Sequence, residues 1–240
     1  MSNRPGQLER DQLLEDAADL QSPSLRKFLR DQYCRICRVA HALCRNPNAA
    51  KKTVVRVMRA SGRFLPKWKS AQEADSWFLH HTILTIREIS GKTSPRPAND
   101  YLIQHADNPG LSYLAFVRAL RHLPQQQREA FLLSRGEHLD SRQLAIAMDC
   151  STSAAANHLA AATDALKAIA GDAFEAQTTA LAGVYASLTP PEEKVLAGIA
   201  ATTGSLHRNK WRHRLKILLG WLILALLAWT VWQLSRMIVI

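Results

Sequence analysis

The sequence predicts an all-α protein built from two small helical domains and one carboxyl-terminal transmembrane helix. Apolar residues recur at helical spacing over most of the chain, and no segment alternates with period two for long enough to form a sheet. One uncharged run extends over 18 residues, from Ile217 to Leu234. With 240 residues, of which 47% are hydrophobic, the chain is long enough for two domains and too apolar to be disordered.

The first predicted domain covers residues 25–90 and follows an acidic amino-terminal arm over 1–24. Helical periodicity predicts one helix from Ser24 to Leu43 and a second beginning at Ala49. A third is predicted from about Ala71 to Ile89. Gly and Pro interrupt the apolar pattern between the predicted helices, which is typical of interhelical turns.

A linker over residues 91–110 is predicted because Gly, Pro, Asn and Asp are concentrated there. The second predicted domain covers 111–171. Beyond it, residues 172–206 form an Ala-rich helical spacer, in which Thr189-Pro190-Pro191-Glu192 has the spacing of a capping box and marks a helix start.

The second domain contains the spacing of a helix-turn-helix. One helix begins near Ser141, the pattern breaks from Asp149 to Ser151, and a further helix continues toward Leu166. The small side chain of Ala145 permits the two helices to cross closely. The second helix is therefore expected to be presented to the major groove of duplex DNA.

The carboxyl-terminal end predicts a membrane anchor, with a basic juxtamembrane segment over 207–216 and a span over 217–236. Five cations precede the uncharged run and only Arg236 follows it, so the positive-inside rule places the amino-terminal domains in the cytoplasm and the chain in the cytoplasmic membrane. The alternative is a hydrophobic helix buried in a globular core. The residues expected to anchor the chain are Arg212, Arg214, Lys216 and Trp221.

The second domain resembles region 4 of the bacterial sigma-70 family, in its compact extracytoplasmic-function branch. The resemblance rests on Leu-Pro-x-x-x-Arg-Glu-x-Phe at Leu123 to Phe131, followed by the helix-turn-helix. The three predicted helices before the linker are similar in order and length to region 2 of that branch. The resemblance covers about residues 25–171.

This resemblance implies that region 2 binds core RNA polymerase and melted promoter DNA, while region 4 reads an upstream promoter element. It implies no catalysis, metal or cofactor. The partners expected from the resemblance are core RNA polymerase, promoter DNA and an anti-sigma or other protein, and the predicted membrane span adds inner-membrane lipid. The implied polymerase contacts are Lys51, Lys52 and Arg56. The implied DNA contacts are Trp77, Arg87, Arg128, Arg142, Ser151, Thr152, Ser153, Asn157 and His158.

The sequence departs from the family at several charged positions. Lys51 and Lys52 stand where family members carry acids, and Ala156, His158 and Ala161 stand where the recognition helix usually carries cations. Residues 111–175 have a net charge of −1. Because phosphate attraction supplies much of the affinity for DNA, a second interpretation stays open: a sigma-derived, membrane-bound adaptor that binds protein partners.

The net charge of +12 over residues 25–70 has three interpretations. These cations either contact nucleic acid in the polymerase complex, face anionic lipid, or form a solvated helix face. A metal site at Cys34, Cys37, His41 and Cys44 is disfavoured, because one helix spreads these residues over about 15 Å. We therefore expect these cysteines in the core, and Cys150 buried in the turn.

An enzyme is the least favoured class of protein. The sequence contains no glycine-rich phosphate loop and no Ser-His-Asp arrangement. The histidine pair His80-His81 lies in the third predicted helix. The apolar periodicity of that helix explains the segment without a catalytic role for the histidines.

Overall fold

A computed structural model describes residues 23–44, 46–65, 68, 70–90, 100–107 and 109–238, with side chains described at all of these positions except 90, 206–210, 212–216 and 230–238. The described part of the chain is all-α, as predicted. Its helices are α1 (Pro23–Leu43), α2 (Pro47–Phe64), α3 (Ala71–Ser90), α4 (Tyr101–Gln104), α5 (Leu111–His122), α6 (Gln125–Gly136), α7 (Ser141–Met148), α8 (Thr152–Ala170), α9 (Phe174–Ser187) and α10 (Glu192–Ile238). The predicted acidic arm lies almost entirely outside the described residues.

Helices α1, α2 and α3 pack against one another and form what we call the amino-terminal bundle. The start of α2 is fixed locally, because the Asn46 side chain accepts a hydrogen bond from the backbone N–H of Asn48 and Pro47 suits the first turn. The core contains fully buried side chains at helical spacing: Leu25, Leu29, Ile36, Val57, Met58, Phe78 and Ile83. The three helices predicted for this region are confirmed.

Helices α5 to α9 form the carboxyl-terminal bundle. Its centre holds three phenylalanines, Phe116, Phe131 and Phe174, whose ring centroids lie 6.2 to 6.4 Å apart in edge-to-face pairs. Edge-to-face pairs add to the free energy gained from burying the rings. The buried alanines Ala145, Ala155 and Ala162 lie where α7 and α8 approach each other and the rest of the bundle. This bundle coincides with the predicted second domain and the beginning of the predicted spacer.

The first part of α10 returns to the amino-terminal bundle and packs on α1 and α2. Thr202 is completely buried, and its Oγ1 donates a hydrogen bond to Met58 O at 3.0 Å. Gly198 lies directly against the ring of Tyr33. The predicted spacer is therefore helical, and it also forms part of the folded body.

The two bundles pack against each other, with α3 against α7 and α1 against α6. The described end of the predicted linker takes part in this packing. Asp100 caps α4 by accepting from Leu102 N, Leu102 is completely buried, and Tyr113 Oη donates to Leu102 O at 3.0 Å. The linker residues 91–99 and 108 lie outside the described residues.

Helix α10 is continuous through the segment for which a membrane span was expected. Within the residues that the structure describes, no helix combines the length and the apolar character needed to cross a membrane, so the span predicted over 217–236 is not confirmed.

The contact between Gly198 and Tyr33 predicts a defined effect on stability. A methyl group at position 198 collides with the Tyr33 ring, so Gly198→Ala should lower the free energy of unfolding by roughly 1–3 kcal/mol. Gly204, in the same helix, is exposed and has open space around it, so Gly204→Ala should instead stabilise the protein by roughly 0.5–1 kcal/mol. Urea unfolding of the two variants measures both changes in the free energy of unfolding. Equal changes in the two variants would refute this account of the packing.

Candidate nucleic-acid interface

The first helix of the helix-turn-helix begins at a complete capping box. Asp140 Oδ1 accepts hydrogen bonds from Arg142 N at 2.9 Å and Gln143 N at 2.8 Å, and Gln143 Oε1 accepts from Asp140 N at 3.1 Å. These bonds satisfy backbone donors that have no partner inside the helix. The start of α7 is thereby fixed by its own sequence.

The turn between α7 and α8 contains a residue with left-handed backbone geometry. Asp149 has φ 58° and ψ 53°, and its N–H donates to the last turn of α7. Asp adopts this conformation at lower cost than most residues other than Gly. Ser151 then caps α8 by accepting from Ala154 N at 3.2 Å. The predicted break from Asp149 to Ser151 is confirmed.

The second helix, α8, turns its alanine and leucine stripe inward and its polar residues outward. Ala155, Ala162 and Leu166 are buried, whereas Ser151, Thr152, Ser153 and Asn157 are exposed and His158 is half-buried. All five polar residues were predicted to contact DNA. Four of them are therefore accessible from solvent, and His158 is partly so.

A groove between α3 and the helix-turn-helix brings four of the predicted DNA contacts together. Trp77 lines its α3 side, and Arg142, Ser151 and Thr152 line the opposite side. At the end of this groove His80 Nδ1 donates a hydrogen bond to Ile146 O at 3.1 Å. The remaining lining residues are Glu73, Ser76, His80, Ala145, Ile146, Asp149 and Cys150.

Trp77 belongs to a cluster of aromatic rings on α3. Its ring stacks on His81 with centroids 4.2 Å apart and lies 5.0 to 5.3 Å from Phe64, Trp68 and Phe78. Burial lowers the pKa of His81, and the nearby His80 and Arg56 lower it further. The His81 ring therefore packs against Trp77 as part of this aromatic cluster.

The structure places the predicted DNA contacts Arg87 and Arg128 in interactions within the protein. Arg87 forms an ion pair with Glu129 of α6. Its Nε donates to Glu129 Oε2 at 3.1 Å, and its Nη2 donates to the same oxygen at 2.6 Å. The hydrogen bond to Glu129 raises the pKa of Arg87. Arg128 Nη1 lies 3.2 Å from Arg121 O and 3.4 Å from Leu123 O, at the carboxyl-terminal end of α5.

A second buried carboxylate, that of Glu137, joins three helices. Its side chain is 6% exposed and accepts from Arg35 Nε of α1 at 2.5 Å and from Tyr185 Oη of α9 at 2.8 Å, with Arg38 Nε 3.7 Å away. Burial, followed by the adjacent Glu137 charge, raises the pKa of Tyr185 well above its usual range. Sequence analysis missed this site, because Glu137 follows α6 without any local motif.

Arg121 of α5 forms a third link between the bundles. Its guanidinium is 7% exposed and donates to both carboxylate oxygens of Asp100 at 2.6 Å and to Ala42 O of α1 at 2.5 Å. Bonds from a charged donor are stronger than bonds between neutral groups. The Arg87, Glu137 and Arg121 interactions together fix how the two bundles sit against each other.

The predicted polymerase contacts lie on the outer face of α2. Lys51, Lys52 and Arg56 are exposed, and together with Arg59 and Arg63 they line an open groove along that helix. Arg56 Nη2 pairs with Glu88 Oε2 at 2.7 Å, with both side chains about half exposed. We call this surface the α2 basic face.

The cysteines follow the prediction in the first bundle and depart from it in the turn. Cys37 and Cys44 are buried, and burial raises their pKa values to about 12 and about 11. Cys34 is half-buried against the core. Cys150 is also only half-buried, because it packs against the edge of the core and lines the groove as well, so the expectation that it is buried was wrong.

Of the predicted anchoring residues, the structure describes the side chain of Trp221, which is 68% exposed. The side chains of Arg212, Arg214 and Lys216 lie outside the described residues. The described apolar side chains around Trp221, from Ile217 to Trp229, are also exposed.

Residues 113–166 match the family model of sigma-70, region 4. This segment runs from within α5 into α8 and includes α7, the turn and most of α8. No curated protein and no solved structure matches the chain. The chain therefore contains a segment similar to a non-enzymatic transcription-factor domain that binds DNA.

Proposed function

We propose that this protein is a sigma-70-like transcription initiation factor of the extracytoplasmic-function type. In this proposal the carboxyl-terminal bundle reads duplex promoter DNA and the amino-terminal bundle binds core RNA polymerase. The observation that carries the proposal is the capped helix-turn-helix with an exposed polar recognition helix, located inside the segment similar to sigma-70 region 4. A region 2-like role for α1, α2 and α3 rests on their order and lengths.

The proposed DNA contact follows from the geometry of α7 and α8. A recognition helix contacts base edges through its amino-terminal residues, while the preceding helix crosses the phosphate backbone. Ser151, Thr152 and Ser153 lie at the start of α8, and Asn157 lies one turn further on. Arg142 in the first turn of α7 is exposed and suited to a phosphate.

We expect Arg142→Glu to weaken binding of the full chain to duplex DNA at all sequences, because it removes a phosphate contact. The slope of log affinity against log salt should fall by about one. Fluorescence anisotropy over a salt series measures both quantities. Arg118→Glu, at an exposed position of α5, is the control with the same charge change. Identical losses in the two variants would argue against the assigned contact.

A polymerase contact is proposed for the α2 basic face. Lys51 and Lys52 attract an acidic patch on a partner, which is opposite in charge to the patch that the acids usual in the family at these positions would fit. The alternative function, an adaptor derived from a sigma factor, uses the same face for another acidic protein. An anti-sigma or other regulatory protein is compatible with either function.

Lys51→Glu/Lys52→Glu should abolish co-elution of the full chain with core RNA polymerase. Reversing both charges removes the attraction and replaces it with repulsion. Arg26→Glu/Lys27→Glu changes the charge equally at exposed positions in the first turn of α1 and should leave co-elution intact. If the unaltered chain does not co-elute with polymerase, the adaptor becomes the better function.

We further propose that the carboxyl-terminal part of α10 attaches the protein to the cytoplasmic face of the inner membrane. The support is a run of large apolar side chains that are about half or more exposed, including Leu218, Leu222 and Trp229. Such a run is unfavourable in water, and five cations immediately precede it in the sequence.

The full chain should float with anionic lipid vesicles in a density gradient. Leu222→Arg/Leu226→Arg should release it, because charges within the apolar run oppose its burial in lipid. Gly204→Arg adds one charge outside the apolar run, at an exposed position, and should leave flotation unchanged. An unaltered chain that stays at the bottom of the gradient would rule out the attachment.

A further inference from the structure

We propose that the carboxyl-terminal half of the α2 basic face docks on anionic lipid headgroups, beside the point where α10 leaves the folded body. This inference rests on the proposed membrane attachment by α10, and it gives the folded body a lipid-binding surface of its own. The cations involved are Arg59 and Arg63, which are exposed and line the groove along α2. Their ligand is the phosphate of an acidic phospholipid.

Helix α10 leaves the folded body next to these two arginines. Thr202 Oγ1 donates to Met58 O at 3.0 Å, and Ser205 Oγ, three residues further along α10, donates to Arg59 O at 3.2 Å. Both acceptors lie in the carboxyl-terminal half of α2, and the contacts advance in the same direction along both helices. Because α10 continues as an unbroken helix beyond Ser205, this end of α2 lies nearest to the surface that the apolar run enters.

The length of helix between the body and the apolar run fits a layer of headgroups. Ile217, where the run begins, follows Ser205 by 12 residues, which is about 18 Å of helix. Arg63 lies one turn, about 6 Å, beyond Arg59 along α2, and therefore about 12 Å from the start of the run. Headgroups occupy about 5–8 Å of that distance, and a long arginine side chain extends over most of the remainder.

An exposed tryptophan lies on the same stretch of α10, at the level expected for the lipid–water interface. Trp211 is 63% exposed and lies midway between Ser205 and Ile217, about 9 Å from each along the helix. Tryptophan is enriched at membrane interfaces because its ring is apolar while its N–H needs a polar partner. An exposed indole at this level supports placement of the neighbouring end of α2 at the headgroups.

The charges of the two arginines are available to lipid. Arg56, midway along α2, is paired with Glu88, whereas Arg59 and Arg63 have no acidic partner within the described part of the chain. Attraction to an anionic leaflet falls off within a Debye length, which is about 8 Å at physiological salt. Lys52 precedes Arg59 by about 10 Å along the helix, so the amino-terminal half of the face stays outside that range.

Arginine footprinting on vesicles tests the docking with the unaltered full chain. The chain is bound to vesicles of phosphatidylcholine, with or without phosphatidylserine, and treated with phenylglyoxal, and peptide mass spectrometry gives the modification rate of each arginine. We expect Arg59 and Arg63 to react about fivefold more slowly on the anionic vesicles than on the neutral ones. Arg118 and Arg142, which are exposed on the carboxyl-terminal bundle, should react at the same rate on both.

Arg59→Glu/Arg63→Glu should lower the ratio of anionic to neutral vesicle binding by about thirtyfold, measured by flotation at limiting lipid. The matched control for lipid binding is Lys51→Glu/Lys52→Glu, which makes the same charge change at exposed positions at the other end of α2. The control should keep most of that ratio. Both variants should bind neutral vesicles as the unaltered chain does, because the apolar run of α10 is intact.

Equal losses in the two double variants, or equal protection of Arg118, overturn docking by this end of α2 and indicate general charge attraction. If the chain floats with both kinds of vesicle while Arg59 and Arg63 react alike on them, the docking fails and the attachment by α10 stands. A chain that floats with neither kind overturns the attachment, and the docking with it. Where every variant floats completely, the footprint alone decides.

Discussion

The arrangement of the two bundles depends on the ion pair and the hydrogen bonds that the Glu137 carboxylate forms. This carboxylate lies at the end of α6 and is almost completely buried, yet it contacts Arg35 of α1 and Tyr185 of α9. A buried charge is tolerated only when it is paired and hydrogen-bonded. Any rotation of one bundle against the other that separates these partners leaves the charge uncompensated, so the relative position of α1, α6 and α9 is narrowly defined.

Within each bundle, apolar packing supplies the stability. The phenylalanine cluster around Phe131 holds the carboxyl-terminal bundle, and the first part of α10 adds a helix to the amino-terminal bundle through Gly198 and Thr202. The buried apolar residues of the two bundles form one continuous core, and polar bonds such as that from Arg121 to Ala42 O also cross between the bundles. Polar contacts of this kind define an orientation more than they lower the free energy of folding.

Local sequence signals predicted most of the fold. The apolar period of α1, the break at Asp149 and the exposure of Asn157 all follow from interactions within a few residues. The pairing of Arg35 with Glu137 joins residues 102 positions apart, and no periodicity carries that information. The ion pair of Arg87, a predicted DNA contact, with Glu129 joins residues 42 positions apart and is likewise invisible to local patterns.

The low charge of the recognition helix limits DNA binding by the free chain under the proposed function. The exposed face of α8 offers Thr152, Ser153 and Asn157 but few cations, so its attraction for DNA phosphates is weak. Binding to polymerase through the α2 basic face would compensate for this weakness, because it raises the local concentration of DNA at the reading surface. Promoter recognition would then depend on prior assembly with polymerase.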